Sequence, residues 1–376
     1  MKKRNKIFGR LLFIALTILL INPLGIKAQK VNPEAKIKWI NAKDLCIEGK
    51  GWPVTNQFYD RLPSNAKGVV RTAVWELSEN SAGMCIRFLT DATALSARWT
   101  LRKRKIAMTN MPASGVSGLD LYVRSENKWK WLGAARPDDT ITNTKRLTTG
   151  LSTAMRECMV YLPLYNGVQE LEIGIPEGAI CTLPPNRPIG MKPIVFYGTS
   201  IVQGSAASRP GMTYPAMLCR RLDQTMINLG FSGNAICEPE VADLLAELDP
   251  AVYVLDPLPN MGMEMITQSM PKLIEKIRKA HPKTPIVLIE HIDLGDAPVN
   301  PSRRPGYLAS NRELRKIYEQ RKKDGDRKIY YVRGEKLLGT DGQGTVDRVH
   351  PSDLGFMRMT AVIEPILKRA LNASKE

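Results

Sequence analysis

The chain has 376 residues, of which 43% are hydrophobic and 24% charged, with a formal net charge of +17. That composition belongs to a globular protein long enough for two domains, and it excludes a disordered or low-complexity chain. Three histidines (His281, His291, His350) and six cysteines without a CxxC pair argue against a metal centre built from either residue type.

The first residues read as a targeting segment. Lys2, Lys3, Arg4 and Lys6 precede an apolar core from Leu11 to Ile21, and Pro23 and Gly25 break it before Ile26-Lys27-Ala28. This is the pattern of a signal peptide over residues 1–28. The core is short for roughly 30 Å of hydrocarbon, so cleavage is expected, with no stable membrane insertion afterwards. No Cys follows that would carry a lipid anchor. A periplasmic or secreted protein is the expectation. Cleavage leaves 48 basic residues against 37 acidic ones, still a basic chain. The densest basic clusters, Arg102–Lys105 and Arg321–Lys323, come with no nucleic-acid-binding motif, so no nucleic-acid partner is expected. Acidic glycans or a membrane surface fit an exported basic protein better. Export also permits disulfides among Cys46, Cys85, Cys158, Cys181, Cys219 and Cys237. Cys85, Cys158 and Cys219 sit within apolar patterns and read as buried thiols.

Residues 29–185 read as β structure. Leu95 to Arg102 alternates apolar and polar residues, the signature of a half-buried strand. Similar runs lie at 84–89, 119–123, 159–164 and 171–175, separated by Gly, Asn, Asp and Pro clusters. With no amphipathic helix evident, an antiparallel, jelly-roll-like sandwich is expected.

Composition shifts at Cys181–Pro193, where four prolines in thirteen residues make a stiff linker. Residues 186–376 then alternate strand and helix. Apolar runs at 194–197, 226–229, 251–255, 286–289 and 329–332 are separated by helical stretches near 213–223, 238–248, 266–281 and 304–324. A last helix spans 352–371, with Pro365 expected to kink it. Such alternation predicts a parallel doubly wound sheet, a flavodoxin-like α/β/α sandwich.

Candidate chemistry falls at the ends of these strands, where open α/β sheets bind ligands. Ser200 ends the first. Gly230 and Gly233 follow the second, Asn260 the third, and Asp347-Arg348-Val349-His350 the fifth. His350 can take the Ser200 proton and return it to a leaving alkoxide, while Asp347 holds the imidazole tautomer. The N–H groups of Ser200 and Gly233 and the Asn260 amide can surround an oxyanion. Singly, each residue has an ordinary explanation as a cap, a turn former or a flexible glycine. Jointly they favour a catalytic set. His281 reads as a cation at a helix C-terminus. Glu290-His291, on the same sheet edge, reads as structural, with a supporting role near the site as the alternative. Asp120 and Tyr122 read as residues that organise a strand edge, with a glycan contact as the lesser option.

Gly198-Thr199-Ser200-Ile201, the Gly block, the Asn block and the terminal Asp-x-x-His together resemble the SGNH/GDSL hydrolases. Gly198–Pro215 is similar to a bacterial subgroup with an amino-terminal GxDLY domain, and that signature stands here as Gly118-Leu119-Asp120-Leu121-Tyr122. Two positions depart from the usual pattern: Thr199 replaces an Asp before the nucleophile, and Met261 replaces an Asp after the Asn. The resemblance implies a serine esterase working through an acyl-enzyme without cofactor or metal. Together with export and the added sandwich it implies short acyl groups, chiefly O-acetyl, on carbohydrates. The alternatives are a lipase or phospholipid-type acylhydrolase with the same triad, and a glycan-binding protein in which that triad is idle.

Overall fold

The computed structural model describes residues 36–375 except 139 and 298, so the candidate signal peptide lies outside the described residues. Ten antiparallel strands come first: β1 (Ile37–Asn41), β2 (Cys46–Glu48), β3 (Cys85–Thr90), β4 (Ala94–Leu101), β5 (Leu119–Ser125), β6 (Lys128–Ala135), β7 (Thr142–Thr149), β8 (Arg156–Tyr161), β9 (Val168–Pro176) and β10 (Cys181–Thr182). One sheet has the order β1-β9-β4-β7, and the other β10-β3-β8-β5-β6 with β2 beside β3. The period-two pattern explains their packing: Leu95, Ala97, Trp99 and Leu101 of β4 point into a core with Phe88, Leu121, Val160 and Ile173.

The β half is not free of helix, contrary to the expectation from sequence. It holds α1 (Thr72–Ser78) and the single turn α2 (Ala113–Val116). Seven residues are too few to show helical periodicity, and α1 does not serve the sandwich. Its Val74 and Trp75, with Leu62, Ala66 and Val70, pack against Val195, Tyr197, Ile227 and Leu229 of the following sheet.

That sheet is parallel, with the order β12-β11-β13-β14-β15. Its strands are β11 (Ile194–Gly198), β12 (Met226–Gly230), β13 (Val252–Asp256), β14 (Ile286–Ile289) and β15 (Ile329–Val332). The helices are α3 (Ser200–Gln203), α4 (Tyr214–Leu222), α5 (Pro239–Glu247), α6 (Met263–Ala280), α7 (Arg304–Lys323) and α8 (Asp353–Ala373), the last running through Pro365. The strands are apolar on both faces, as helices on both sides require. Ile194 and Phe196 of β11 join Leu218 of α4 and Phe356 of α8, whereas Val195 and Tyr197 join Leu245 of α5 and Ile274 of α6. Because β11 lies between β12 and β13, the chain leaves it in opposite senses, and a crevice opens at the carboxyl ends of these strands.

The two halves share buried surface. Tyr122, Met159 and Tyr161 of the sandwich lie in the same core as Tyr214, Leu218 and Cys219. The GxDLY residues do more than order a strand edge. Fully buried Asp120 accepts hydrogen bonds from Arg209 and from the Gly211 N–H, both at 2.8 Å, and Arg209 also donates to the Tyr122 hydroxyl at 2.6 Å. A Cβ on Gly211 would lie 2.5 Å from the Tyr122 ring, so only glycine allows this approach. The signature thereby fastens the segment that follows Ser200. In the linker, Arg187 bridges Glu48 at 2.9 Å and Asp223 at 2.8 Å.

All six cysteines are free thiols. Among the described residues no helix is long and apolar enough to cross a membrane, and no cluster of His, Cys, Asp and Glu could hold a metal ion.

Candidate active site

Ser200 opens α3 directly after β11, and the turn between them is forced by close packing. A Cβ on Gly198 would meet the Asp256 carbonyl at 2.4 Å. The Gly198 carbonyl accepts from the Phe231 N–H at 2.8 Å, which ties the loop after β12 to this turn. Thr199 caps the helix, its hydroxyl accepting from the Ile201 N–H at 3.2 Å. A threonine thus replaces the usual aspartate as an uncharged cap. Ser200 is 8% exposed.

His350 arrives from a loop closed by a bridge between Thr345 and Pro351 and by the Val346 N–H donating to the His350 carbonyl at 2.9 Å. The Ser200 hydroxyl lies 2.9 Å from His350 Nε2, and His350 Nδ1 lies 2.7 Å from Asp347 Oδ2. A carboxylate can only accept, so Nδ1 carries the hydrogen and Nε2 is left as the acceptor for the serine proton. Asp347 Oδ1 accepts from the His350 N–H at 2.8 Å and the Val349 N–H at 3.2 Å. Arg348 between them has φ +77°, a conformation held by the bonds on either side of it. Partial burial raises the Asp347 carboxyl, but hydrogen bonds from the His350 main chain, its ring and Asn110 outweigh it and bring it down to about 2.

The loop after β12 contributes Gly233, at φ +69°. Its N–H, and that of Ser200, meet no acceptor among the described residues. Asn260 ends a single turn after β13. The amide orientation that matches donors with acceptors has Oδ1 accepting from the Asn234 and Ala235 N–H groups, at 3.0 and 3.1 Å. The Nδ2 end is then left to donate. Gly230, by contrast, is structural: a Cβ there would lie 2.2 Å from the Gln203 nitrogen, so it lets β12 close on α3. Met261, in place of the usual aspartate, is buried and touches Cys237.

Three residues of the site were not singled out from sequence. Asn110, in the sandwich, donates from Nδ2 to Asp347 Oδ2 at 2.8 Å. Arg61, also from the sandwich and 2% exposed, donates to the carbonyls of Asn228 at 3.0 Å and Gly230 at 2.7 Å. It supports the loop after β12 from behind, its guanidinium 5.1 Å from the Phe231 ring centroid. Burial lowers it to about 9, opposed by Tyr165 and Asp60. Asp256 at the end of β13 is buried; that burial pushes its carboxyl up to about 8, against a bond from the Tyr214 hydroxyl. Asp256 opens the block that ends in Asn260, but Asn110 and Arg61 stand in no motif. Only the fold brings those two in.

Glu290 and His291 serve structure. The Glu290 carboxylate takes bonds from Arg315, Tyr331 and the Gly334 N–H, and His291 stacks on Tyr307. His281 ends α6 with Nε2 2.8 Å from the Ala246 carbonyl in the last turn of α5.

Comparison with known proteins places both halves of the chain. The model of the GDSL-like lipase/acylhydrolase family matches residues 191–368, and a model describing the N-terminus of SGNH-hydrolase-type esterases matches residues 37–181. A GDSL-like lipase from Bacteroides ovatus is 34% identical, with a TM-score of 0.84 over 90% of this chain and 98% of that one. A salicylyl-acyltransferase from a tetracycline biosynthetic pathway is 17% identical, with a TM-score of 0.70 over 89% and 97%. A family two carbohydrate esterase from Cellvibrio japonicus is 12% identical, with a TM-score of 0.58 over 90% and 99%. The last two share the fold. No curated protein sequence matches this chain. With both halves accounted for, the chain belongs to the GDSL-like lipase/acylhydrolase family, as an ester-bond hydrolase of the SGNH type.

Proposed function

We propose that this protein is an exported serine esterase that removes short acyl groups, chiefly acetyl, from carbohydrates. The observation that carries the reading is the unbroken chain from the Ser200 hydroxyl through both nitrogens of His350 to Asp347, with bonds of 2.9 and 2.7 Å. Ser200 Oγ attacks the ester carbonyl while its proton passes to His350 Nε2. The oxyanion is held by the N–H groups of Ser200 and Gly233 and by the Asn260 amide. Collapse expels the sugar alkoxide, which takes the proton from His350. Water then attacks the acyl-enzyme, giving its proton to His350, and carboxylate leaves as Ser200 is re-protonated. Aligned donors of this kind contribute about 10²–10³ in rate each.

The carbohydrate assignment is supported by the shared two-domain fold of the family two carbohydrate esterases, one of which, from Clostridium thermocellum, was solved with cellohexaose. Export is supported by the signal-like residues 1–28. A lipase is the second reading, favoured by the 34% identity to the Bacteroides ovatus protein.

Acetate release from a panel of acetylated polysaccharides, compared with Ser200→Ala, tests the proposal. Release abolished in the variant supports it. Turnover of long-chain esters with no acetate from any glycan moves the reading to the lipase. Release that survives in Ser200→Ala contradicts the serine mechanism.

A further inference from the structure

We propose that Asn110 is a positioning residue of the hydrolytic machinery, so that the sandwich half completes the acid end of the triad. The inference rests on the serine-esterase reading above. Asp347 Oδ2 accepts from two directions: His350 Nδ1 at 2.7 Å and Asn110 Nδ2 at 2.8 Å. Asn110 Nδ2 also lies 3.4 Å from His350 Nδ1. Both nitrogens carry hydrogen towards the same oxygen, so that spacing is the side-by-side approach of two donors. The Asn110 amide therefore closes the side of the carboxylate that the imidazole does not occupy. Asp347 is then fixed from its own loop through Oδ1 and from the other half of the protein through Oδ2.

Asn110 is presented rigidly. Met108 and Met111 exchange main-chain hydrogen bonds of 3.0 and 3.2 Å, which makes Thr109-Asn110 the tip of a tight turn. Met111 is buried in the core that also holds Ile201 and Ala207, close to Ser200 in sequence. Two further contacts clamp the base of the turn to the segment after Ser200. A Cβ on Gly115 would lie 2.3 Å from the Ala207 carbonyl, and the Ser114 hydroxyl donates to the Ser208 carbonyl at 2.6 Å. Ser208 in turn donates its N–H to Oδ1 of Asp353, three residues past His350, at 2.9 Å. The serine segment, the histidine loop and the Asn110 turn thus form one bonded unit across the domain boundary. An amide held at 2.8 Å needs no reorganisation when the imidazolium forms, which is the condition for a positioning group to act on rate.

The groups that titrate or carry charge around this bond are Asp347 and His350 themselves, and Arg348, whose guanidinium lies 3.8 Å from Asp296. Asn110→Asp is nearly isosteric but sets a second carboxylate beside Asp347 and the ring. That carboxylate favours the protonated imidazole, so the acid limb of kcat/KM moves to higher pH. Asn110→Ala removes the donor and frees the carboxylate.

The test measures kcat, KM and pH–rate profiles on para-nitrophenyl acetate for the parent, Asn110→Ala, Asn110→Asp and Ser200→Ala, with thermal melts of each. The proposal predicts that Asn110→Ala lowers kcat by about 10- to 100-fold, the range of a charge-assisted hydrogen bond, with KM little changed. It also predicts an upward shift of the acid limb in Asn110→Asp. An inactive Ser200→Ala beside Asn110 variants with parent rates and profiles overturns this proposal alone. Loss of rate in step with loss of thermal stability, with the Asn110→Asp profile unmoved, also overturns it, because that marks a merely structural role. Full activity in Ser200→Ala overturns the serine reading and this inference together.

Discussion

Ser200 and His350 stand 150 residues apart in the chain, and their side chains meet at 2.9 Å. The contact is made by topology. Ser200 follows β11, an interior strand of the parallel sheet, and His350 hangs from the loop between the last strand and the last helix. Parallel order delivers both to one edge.

Replacing Asp347 with Asn keeps the shape of the side chain and removes the acceptor that fixes the Nδ1–H tautomer. The expected loss in kcat is about 10³–10⁴-fold, with KM nearly unchanged. Because its carboxyl is depressed to about 2, Asp347 stays ionised until pH falls through that value. Its protonation therefore places no limb in the rate profile of the parent enzyme above about pH 3. A steady-state pH profile of the parent and the variant checks both statements.

Arg61 is buried and donates to four main-chain carbonyls: Asn80, Asn228, Gly230 and Leu77. A lysine offers one nitrogen in place of a planar fork and cannot reach them all. Arg61→Lys is expected to lose about 2–4 kcal/mol of stability, as buried carbonyls lose their donors. It should also lower kcat, since Asn228 and Gly230 lead into the Gly233 turn. Denaturant unfolding and esterase kinetics on the same preparation provide the readout.

Asp256 has the opposite electrostatic sign from Asp347. Burial raises its carboxyl to about 8, so the folded protein holds a proton that the unfolded chain releases near pH 4. Its stabilising effect is complete below about pH 4 and is lost as pH rises through about 8. Asp256→Asn keeps an acceptor for the Tyr214 hydroxyl and removes the ionisation. The variant should therefore melt higher than the parent at pH 8–9, with the gap narrowing as pH falls and closing only near pH 4. Thermal melts across that range decide it.

Much of the C-terminal half was legible in the sequence because its strands are buried on both faces and its helices are amphipathic. Runs such as Ile194–Tyr197 and Ile286–Ile289 admit few other readings. Ser200, Gly233, Asn260, Asp347 and His350 could be grouped because each follows a predicted strand. The N-terminal contributions were not legible. Asn110 sits in an ordinary Thr-Asn-Met-Pro turn, and Arg61 in a loop, where local pattern says nothing about a partner 167 or 237 residues away. Asp120 and Tyr122 lie on a strand with clear alternation. That alternation reports burial but not that the buried partner is Arg209 from the other half. Helix α1 was missed for the same reason: its apolar face is matched to a sheet that comes more than a hundred residues later.

Covalent labelling tests the central claim, that Ser200 is the nucleophile, most directly. The protein would be treated with an organophosphate ester and its mass and peptide map recorded, beside residual esterase activity. The account predicts a single phosphoryl adduct on Ser200, loss of activity in proportion to labelling, and no adduct in His350→Ala. Labelling at another residue, or full activity in protein already modified at Ser200, would contradict it.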